Sequence, residues 1–270
     1  QHKDLKEVLF EDLWDSHGVF TTMWTFGKPV KILFFKEHIK NLMKSLKTYK
    51  LNKKNLEKNI RKIIKLNLDQ KKKYNHLLRI AVTNKLISIS LRKKPNLKSK
   101  YNLKLINYKR IRPEIKNLKY KKILHHLSKI ETSAYDIGLC VNKKILESAT
   151  SNILFVKNGK IYSPINKFYK GTTLKFFERS AEKITKKDIF IKSLFEYEEI
   201  ILVGSGKGVV SINNIKGTSW RRKSSKIYRF LSKIYYRAVT NCPRYNGWSI
   251  ISIILKIFYY LRINKNVLEA

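Results

Sequence analysis

Residues 143–164, with the sequence KKILESATSNILFVKNGKIYSP, contain the strongest local signal in the chain. The pair Asn158-Gly159 separates two alternating apolar runs, which is the sequence pattern of a tight β-hairpin. Residues 152–156 and 160–163 are therefore predicted to pair as antiparallel strands. Just before this hairpin, Glu147 is a single carboxylate at the point where another apolar strand breaks into a run of small residues.

The composition is that of a globular protein with one or two domains, since 43% of the 270 residues are hydrophobic and 12% are aromatic. Cys140 and Cys242 are the two cysteines, and they provide neither a disulfide framework nor a metal-ligand spacing. This usage suits a reducing compartment, so we expect a cytoplasmic protein. Residues 1–15 are charged and lack the apolar segment of a signal peptide.

The charge balance is extreme, with 59 Lys and Arg residues against 19 Asp and Glu residues and a formal net charge of +40. Binding to nucleic acid or to an anionic membrane is one function that such a charge suggests. The excess is nevertheless spread along the whole chain, and Lys, Asn and Ile are all abundant, as expected from an AT-rich genome. We therefore expect no nucleic-acid partner, although the charge favours small anionic substrates.

Apolar spacing divides the chain into helices and strands. It predicts helices over 4–15, 37–49, 51–66, 118–130, 170–184 and 223–238. It predicts strands over 19–26, 30–34, 77–82, 86–91, 102–108, 199–203 and 209–212. We expect a small N-terminal α/β domain over 1–110, a link near 108–113 and a larger domain over 114–240.

The tail over 241–270 differs in composition from the rest of the chain. Residues 248–261 are mostly apolar but are interrupted by Lys256. This stretch is shorter than the ~20 apolar residues of a spanning helix, so we expect no membrane span. A helix on a membrane surface or on a partner is an alternative, and packing against the protein's own body is the interpretation that we favour.

The glycine-rich run over 204–208, GSGKG, follows a buried apolar strand. A dinucleotide loop would have Gly-x-Gly-x-x-Gly and a helix after it, whereas this run is Gly-x-Gly-x-Gly and a strand follows. A P-loop would have Ser or Thr after Gly-Lys, where this chain has Gly208. Both kinds of nucleotide site are therefore excluded at this run.

Two elements resemble the class IV family of pyridoxal-phosphate (PLP) enzymes. The Glu147-x3-Ser151-Asn152 element, followed by apolar residues, is similar to one in which the glutamate pairs with the pyridine nitrogen of PLP. The stretch 115–120, IKNLKY, resembles the family's Ile-Lys-x-Leu-Asn-(Tyr/Arg), whose lysine carries the cofactor. The resemblance makes Lys116 the catalytic lysine and Glu147 and Asn152 cofactor-binding residues, with Lys119 as the runner-up lysine.

The phosphate of the cofactor has two candidate cradles. Gly171-Thr172-Thr173 opens a helix, whose free N–H groups and dipole favour an anion, and it resembles the family's Gly-Ile-Thr turn. Ser205-Gly206 supplies a hydroxyl and a close backbone approach. After His38 the family has the pattern His-x-x-Arg-Leu, in which the arginine holds the phosphate, but this chain has Asn41 there. Lys40 or Arg79 is expected to supply the missing charge.

The resemblance covers about residues 16–239 and implies a two-domain α/β fold of type IV, with PLP between the domains of a homodimer. Residues 18–22, GVFTT, and 205–209, SGKGV, are closer to aminodeoxychorismate lyases than to branched-chain aminotransferases, which more often have Phe-Glu at 20–21. We therefore expect a 4-amino-4-deoxychorismate lyase of folate synthesis. The candidates for binding substrate carboxylates are Thr22, Arg79, Lys109 and Arg110.

Two other functions remain open. An aminotransferase for branched-chain or D-amino acids would use the same scaffold and would pass the amino group to a keto acid. A cofactor-free basic binding protein descended from such enzymes is the third hypothesis, because Asn41 replaces the phosphate arginine and the net charge is high.

Overall fold

The computed structural model describes residues 2–3, 6–7, 12–181 and 183–246, which form two β-sheets flanked by helices. The first sheet has the strand order β2-β1-β6-β5-β3-β4. Its strands are β1 His2–Lys3, β2 Lys6–Glu7, β3 Gly18–Gly27, β4 Lys31–Ile32, β5 Tyr74–Thr83 and β6 Ile87–Lys93.

Two amphipathic helices cover one face of the first sheet: α1, Phe35–Thr48, and α2, Leu56–Asn67. Their apolar side chains recur at helical spacing and are buried, so burial of one face stabilises each helix. The resulting core includes Ile39 and Leu42 of α1, Ile60 of α2, and Leu78 of β5.

The second sheet has the order β12-β11-β10-β14-β15-β7-β8-β9-β13. Its strands are β7 Tyr101–Asn107, β8 Tyr135–Val141, β9 Lys144–Ser148, β10 Asn152–Lys157, β11 Lys160–Ser163, β12 Ile184–Lys186, β13 Ile189–Phe190, β14 Glu199–Gly204 and β15 Gly208–Lys216. The helices that accompany it are α3 Lys121–Leu127, α4 Thr172–Ser180 and α5 Lys226–Thr240, with a 3-10 turn over Ile191–Glu196.

The predicted hairpin is confirmed. β10 and β11 pair antiparallel, with Lys157 opposite Lys160, and the two turn residues Asn158 and Gly159 have φ values of 50° and 70°. Positive φ at both positions is what a two-residue hairpin turn requires and what Asn-Gly tolerates. The hairpin therefore follows from local chemistry.

Three expected helices differ from the structure. The helix over 4–15 is wrong where the structure describes it, because Lys6–Glu7 is a strand paired with His2–Lys3, at the edge of the first sheet. The helix expected over 118–130 is limited to Lys121–Leu127. The helix expected over 170–184 ends at Ser180, because the chain re-enters the second sheet at Ile184 and pairs with Ile161 of β11.

The change from one sheet to the other occurs earlier than the expected link at 108–113. β7 belongs to the second sheet and pairs in parallel with β8 and β15, so the crossing lies in residues 94–100. The start of the tail packs on the first sheet's core, because the Tyr245 N–H donates to the Val30 carbonyl at 2.8 Å. The apolar stretch 248–261 lies outside the described residues. Within the described part, no helix is long and apolar enough to cross a membrane.

Candidate active site

A cleft lies between the two sheets. The start of β3 and α1 line one side of it, and the ends of β9 and β14 and the start of α4 line the other. Polar side chains line most of it. The charged ones are Arg110, Lys116 and Glu147, and the neutral polar ones include Thr21, His38, Tyr120, Asn152, Tyr169, Thr172, Thr173 and Ser205. Most of the expected cofactor residues are therefore gathered at one place.

Lys116 is positioned by pairing of its own backbone with β3. The Phe20 N–H donates to the Lys116 carbonyl at 2.8 Å, and Asn117 forms a bridge with Val19. The Lys116 amine lies 5.1 Å from the centre of the Phe20 ring and 5.5 Å from that of Tyr169. Burial, together with the nearby Arg110 cation, lowers the pKa of Lys116 to about 8, so a sizeable fraction of this amine is neutral near neutral pH.

The runner-up lysine does not reach the cleft. The Lys119 amine donates instead to the backbone carbonyl of Asp15, and Lys119 is not among the lining residues. Among the described residues that line the cleft, Lys116 is the only lysine.

Glu147 forms a buried, bidentate ion pair with Arg110. The Arg110 Nε and Nη2 atoms donate to the two carboxylate oxygens at 2.8 and 3.0 Å, and the two residues are only 5% and 4% exposed. Burial raises the pKa of the Glu147 carboxyl, and Arg110 and the backbone N–H of Tyr169 partly offset this rise. Burial alone would lower the pKa of Arg110, but Glu147 reverses the effect and raises it.

Arg110 lines the cleft, but most of its guanidinium donors are already bound to the protein. Besides Glu147, its guanidinium donates from Nη2 to the Pro113 carbonyl at 2.8 Å and from Nη1 to the Ile115 carbonyl at 3.5 Å. These contacts use four of the five guanidinium N–H donors, so the geometry favours a role in holding Glu147 and the segment before Lys116.

Asn152 organises the loop that leads into α4. Its amide donates to the Tyr169 carbonyl at 2.6 Å and accepts from the Gly171 N–H at 3.0 Å. A Cβ on residue 171 would lie 2.8 Å from Asn152 Oδ1, so glycine permits this close approach. Asn152 therefore lines the cleft and also fixes the shape of the loop before α4.

The start of α4 faces the cleft. Its N-cap residue is Gly171, so no side chain caps the first N–H groups of this helix. The first N–H groups of a helix have no partner within it, so they are available to an anion. The hydroxyls of Thr173 and Ser205 lie 3.3 Å apart beside this terminus. Together these groups form an uncharged set of hydrogen-bond donors of a kind that suits an anion.

His38 connects this terminus to the first sheet. Its Nδ1 lies 2.8 Å from the Thr21 hydroxyl and its Nε2 lies 3.0 Å from the Ser205 hydroxyl. Burial, reinforced by the Lys116 cation, lowers the pKa of His38 to about 3, so the ring is neutral at physiological pH. The segments around Thr21 and Ser205 are far apart in sequence. The His38 ring connects them, because it is hydrogen-bonded to both hydroxyls.

Five expected residues do not line the cleft. Thr22 and Arg79 are register partners in β3 and β5, and Arg79 packs over Trp14 with its guanidinium 4.6 Å from the ring centre. Lys40 and Lys109 are exposed, and Gly206 lies beside Leu77. For Thr22, Arg79 and Lys40 the absence from the lining follows from strand alternation and helix rotation, which sequence motifs do not resolve.

Sequence reasoning missed several lining residues. Tyr120 stood inside the quoted lysine motif and His38 inside the His-x-x pattern, and both contribute to the cleft. Ser151 stood inside the Glu147-x3-Ser151-Asn152 element, whereas Tyr169 carried no sequence signal, because only loop folding brings it to the cleft. Tyr120 donates its hydroxyl to the Ala149 carbonyl, which ties the segment after Lys116 to the loop after Glu147.

The donor set fits pyridoxal phosphate. An amine with a lowered pKa, a buried carboxylate and an anion-binding helix start are the three groups that this cofactor needs. In addition, the Ser151 hydroxyl is buried at the cleft without a hydrogen-bond partner, and a bound ligand would give it one.

Comparison with known proteins agrees with this arrangement. Among curated protein sequences, none matches the chain. A branched-chain aminotransferase from Thermoproteus uzoniensis is 17% identical with a TM-score of 0.68, covering 82% of this chain and 84% of its own. A hypothetical aminotransferase from Mycobacterium tuberculosis in its PLP-bound form is 14% identical with a TM-score of 0.69, covering 87% and 93%. The Escherichia coli branched-chain aminotransferase is 15% identical with a TM-score of 0.68, covering 87% and 90%.

These likenesses confirm the expected fold of type IV, with a mixed α/β architecture in two parts. The sequence profile of amino-transferase class IV matches residues 18–215, from the first residue of β3 almost to the end of β15. The matched span contains Lys116, Glu147 and the start of α4. The chain therefore belongs to the class IV aminotransferase family.

Proposed function

We propose that this protein is a pyridoxal-phosphate enzyme that holds its cofactor on Lys116. The observation that carries the proposal is the convergence on one cleft of the Lys116 amine, the buried Glu147 carboxylate and the open start of α4. The PLP-bound form of the related Mycobacterium tuberculosis protein supports the same cofactor.

We assign a separate role to each of the three charged residues of the cleft. When bound, PLP supplies an electron sink for a carbanion at the substrate's α-carbon. Lys116, with a pKa of about 8, would hold the cofactor through its amine and, when that amine is free, would serve as the base for the proton on the substrate's α-carbon. The buried Glu147 carboxylate would accept a hydrogen bond from the protonated ring nitrogen. Arg110 keeps Glu147 in place.

Within this class we favour a 4-amino-4-deoxychorismate lyase, which converts its substrate into 4-aminobenzoate and pyruvate. Thr21 stands at the cleft where branched-chain aminotransferases more often have glutamate. A neutral residue there avoids repulsion of a substrate that carries two carboxylates. Thr21 and Ser205 belong to the two lyase-like motifs, and their hydrogen bonds to His38 make those motifs one structural unit.

A class IV aminotransferase is the second candidate. The family description and the names of the similar structures favour it. It would require a keto-acid acceptor in the same cleft, and the residues that hold the cofactor would be unchanged.

The residues that bind substrate carboxylates remain a proposal, because neither Arg79 nor Thr22 lines the cleft and the Arg79 Nη2 atom lies 3.5 Å from Asp12 Oδ1. Arg79 contacts the Trp14 ring, and the centre of that ring lies 5.1 Å from the centre of Phe20 and 5.5 Å from that of Tyr120. Arg79 therefore lies behind the aromatic side chains next to Lys116. Lys109 is exposed and the guanidinium of Arg110 is occupied, which makes both weaker candidates. We also propose a homodimer, which size-exclusion chromatography with light scattering would test.

One experiment separates the functions. The purified protein, supplied with PLP, is given 4-amino-4-deoxychorismate, and pyruvate and 4-aminobenzoate are measured. In parallel it is given branched-chain or D-amino acids with 2-oxoglutarate, and glutamate is measured. Equimolar pyruvate and 4-aminobenzoate would support the lyase. Glutamate without pyruvate would support the aminotransferase and overturn the lyase.

The cofactor itself is tested on the same preparation. Borohydride reduction after PLP addition, followed by peptide mass spectrometry, is expected to label Lys116. The Lys116→Ala variant should lose the label, and Lys119→Ala should keep it because that amine contacts Asp15. A protein that takes up no PLP at all would contradict both enzyme proposals and leave the cofactor-free basic binding protein.

A further inference from the structure

The phosphate end of the cleft contains polar donors without a formal charge. Thr172, Thr173 and Ser205 line it, and the charged lining residues, Arg110, Lys116 and Glu147, are assigned to other tasks. A phosphate group is more strongly bound when at least one donor is ionised, because charge-assisted hydrogen bonds are about twice as strong as neutral ones. The open question is which residue supplies the positive charge.

Asn41 stands at the position where the class IV pattern has a phosphate-binding arginine. It is 7% exposed on α1, and its Nδ2 donates to the Thr172 hydroxyl at 2.9 Å. An amide Nδ2 has two hydrogens, and this one lies beside Thr172, which lines the cleft, although Asn41 itself stands behind the lining. The side chain therefore reaches the first residue of α4 but carries no charge.

Lys175 provides that charge one turn further along α4. Its amine donates a hydrogen bond to Asn41 Oδ1, the opposite end of the same amide. Two hydrogen bonds thus connect the Lys175 cation to the Thr172 hydroxyl through Asn41. The contact also fixes the orientation of the Asn41 amide. Only Oδ1 can accept a hydrogen bond from the Lys175 ammonium, so Nδ2 must point toward α4.

We propose that Lys175 and Asn41 together form the phosphate-recognition pair of this enzyme, with Lys175 as the source of positive charge. The pair replaces one arginine by two residues on different helices. This inference rests on the proposed PLP function and adds to it the residue that compensates for Asn41.

The Lys175 amine is half-buried near other cations. Burial, followed by the effects of Lys44, Lys170 and Lys40, lowers the pKa of Lys175, and an anion bound beside it would act in the opposite direction. Glu178 acts in the opposite direction, but it forms its own ion pairs with Lys170 at 2.6 Å and Lys186 at 3.0 Å. Lys44 is exposed on α1 and provides a matched control of equal charge.

The test compares PLP with pyridoxal, which lacks the phosphate. Dissociation constants for both are measured by fluorescence quenching on wild-type protein and on the variants Lys175→Met, Asn41→Ala and Lys44→Met. We expect Lys175→Met to weaken PLP binding about tenfold, the size of one lost hydrogen bond to a charged group. Pyridoxal binding should stay the same, and Lys44→Met should change both constants less than twofold.

Rescue makes the test specific. Lys175→Arg should retain at least half of the wild-type preference for PLP over pyridoxal, and Lys175→Met with Asn41→Arg should recover it. Circular dichroism and thermal unfolding verify that each variant folds. If folded Lys175→Met binds both compounds as wild type does, or weakens both equally, the proposal is overturned. If wild type binds no PLP, the PLP function itself fails, a separate result.

Discussion

The Arg110 guanidinium and the Glu147 carboxylate meet through two hydrogen bonds of 2.8 and 3.0 Å, although 37 residues separate them in the sequence. Both side chains are 5% exposed, so neither charge is well hydrated. Removal of one partner from such a pair leaves an uncompensated buried charge, whereas removal of both does not.

We therefore expect strong coupling between these two residues. Glu147→Gln and Arg110→Met should each lower the free energy of unfolding by about 3–5 kcal/mol. The double variant should lose clearly less than the sum of the two. Urea unfolding measures all three, with Lys157→Met as a control because its pair with Glu196 is about one-third exposed. Simple additivity would show that the pair does not act as a unit.

The lowered pKa of Lys116 predicts a pH profile for cofactor attachment. Only the neutral amine attacks the PLP aldehyde, so the attachment rate should rise with pH below about 8 and level off above it. An ordinary lysine would continue to gain neutral amine up to its usual pKa of about 10.4. Stopped-flow absorbance on apo-protein measures the rate, and Lys119→Ala should show the same profile. A rate that still rises between pH 9 and 10 would argue against a perturbed Lys116.

Gly171 is expected to tolerate no larger residue. In Gly171→Ala the new Cβ would lie 2.8 Å from Asn152 Oδ1, so the loop before α4 must shift. We expect a loss of about 1–3 kcal/mol in unfolding free energy, as in other overpacked sites, together with weaker PLP binding. In an Asn152→Ala background the same substitution should cost less, because the clashing atom is absent. An equal cost in both backgrounds would contradict this explanation.

A second buried ion pair, Lys207 with Asp136, lies next to the residues that line the cleft. The Lys207 amine lies 2.7 Å from Asp136 Oδ2, and the two side chains are 9% and 0% exposed. Asp136 also accepts from the Ser148 and Thr150 hydroxyls at 2.9 and 2.7 Å. This carboxylate thus connects the loop after Ser205 to the loop after Glu147.

Lys207→Met should therefore be much more destabilising than the same change at a surface pair. We expect a loss of about 3 kcal/mol or more, since Asp136 would be left buried without its cation. Lys144→Met is the matched control, because Lys144 and Asp188 are 38% and 40% exposed, and it should cost less than about 1 kcal/mol. Equal losses in urea unfolding would show that Asp136 has sufficient partners without Lys207.

Several parts of the fold were accessible from the sequence because local chemistry determines them. Asn158-Gly159 specifies its turn, and the apolar stripes of α1 and α2 specify both helices. The segment over 4–15 has helical spacing too, yet residues 6–7 are paired at the edge of a sheet. There, hydrogen bonds to another strand outweigh a weak local preference.

The candidate site shows the same division. Lys116, Glu147 and the Gly171-Thr172-Thr173 turn were found in the sequence because each has a recognisable local motif. The assignment of Arg110 was not accessible, since only the folded chain brings its guanidinium against Glu147. Lys40 and Lys175 illustrate the point further: both lie near Asn41, but helix rotation exposes Lys40 and directs the Lys175 amine to Asn41.

The sequence by itself determined the class of this protein. The hairpin, the amphipathic helices and the motifs around Lys116 and Glu147 are all patterns of residues that are neighbours in the chain. Local sterics and burial convert such patterns directly into structure. The tertiary structure alone decided which distant groups meet. His38 between Thr21 and Ser205, Arg110 on Glu147 and Lys175 on Asn41 are contacts between separate elements, and their geometry depends on how two sheets and their helices pack. Charges and hydrogen bonds act over a few ångströms in space, whatever their separation along the chain.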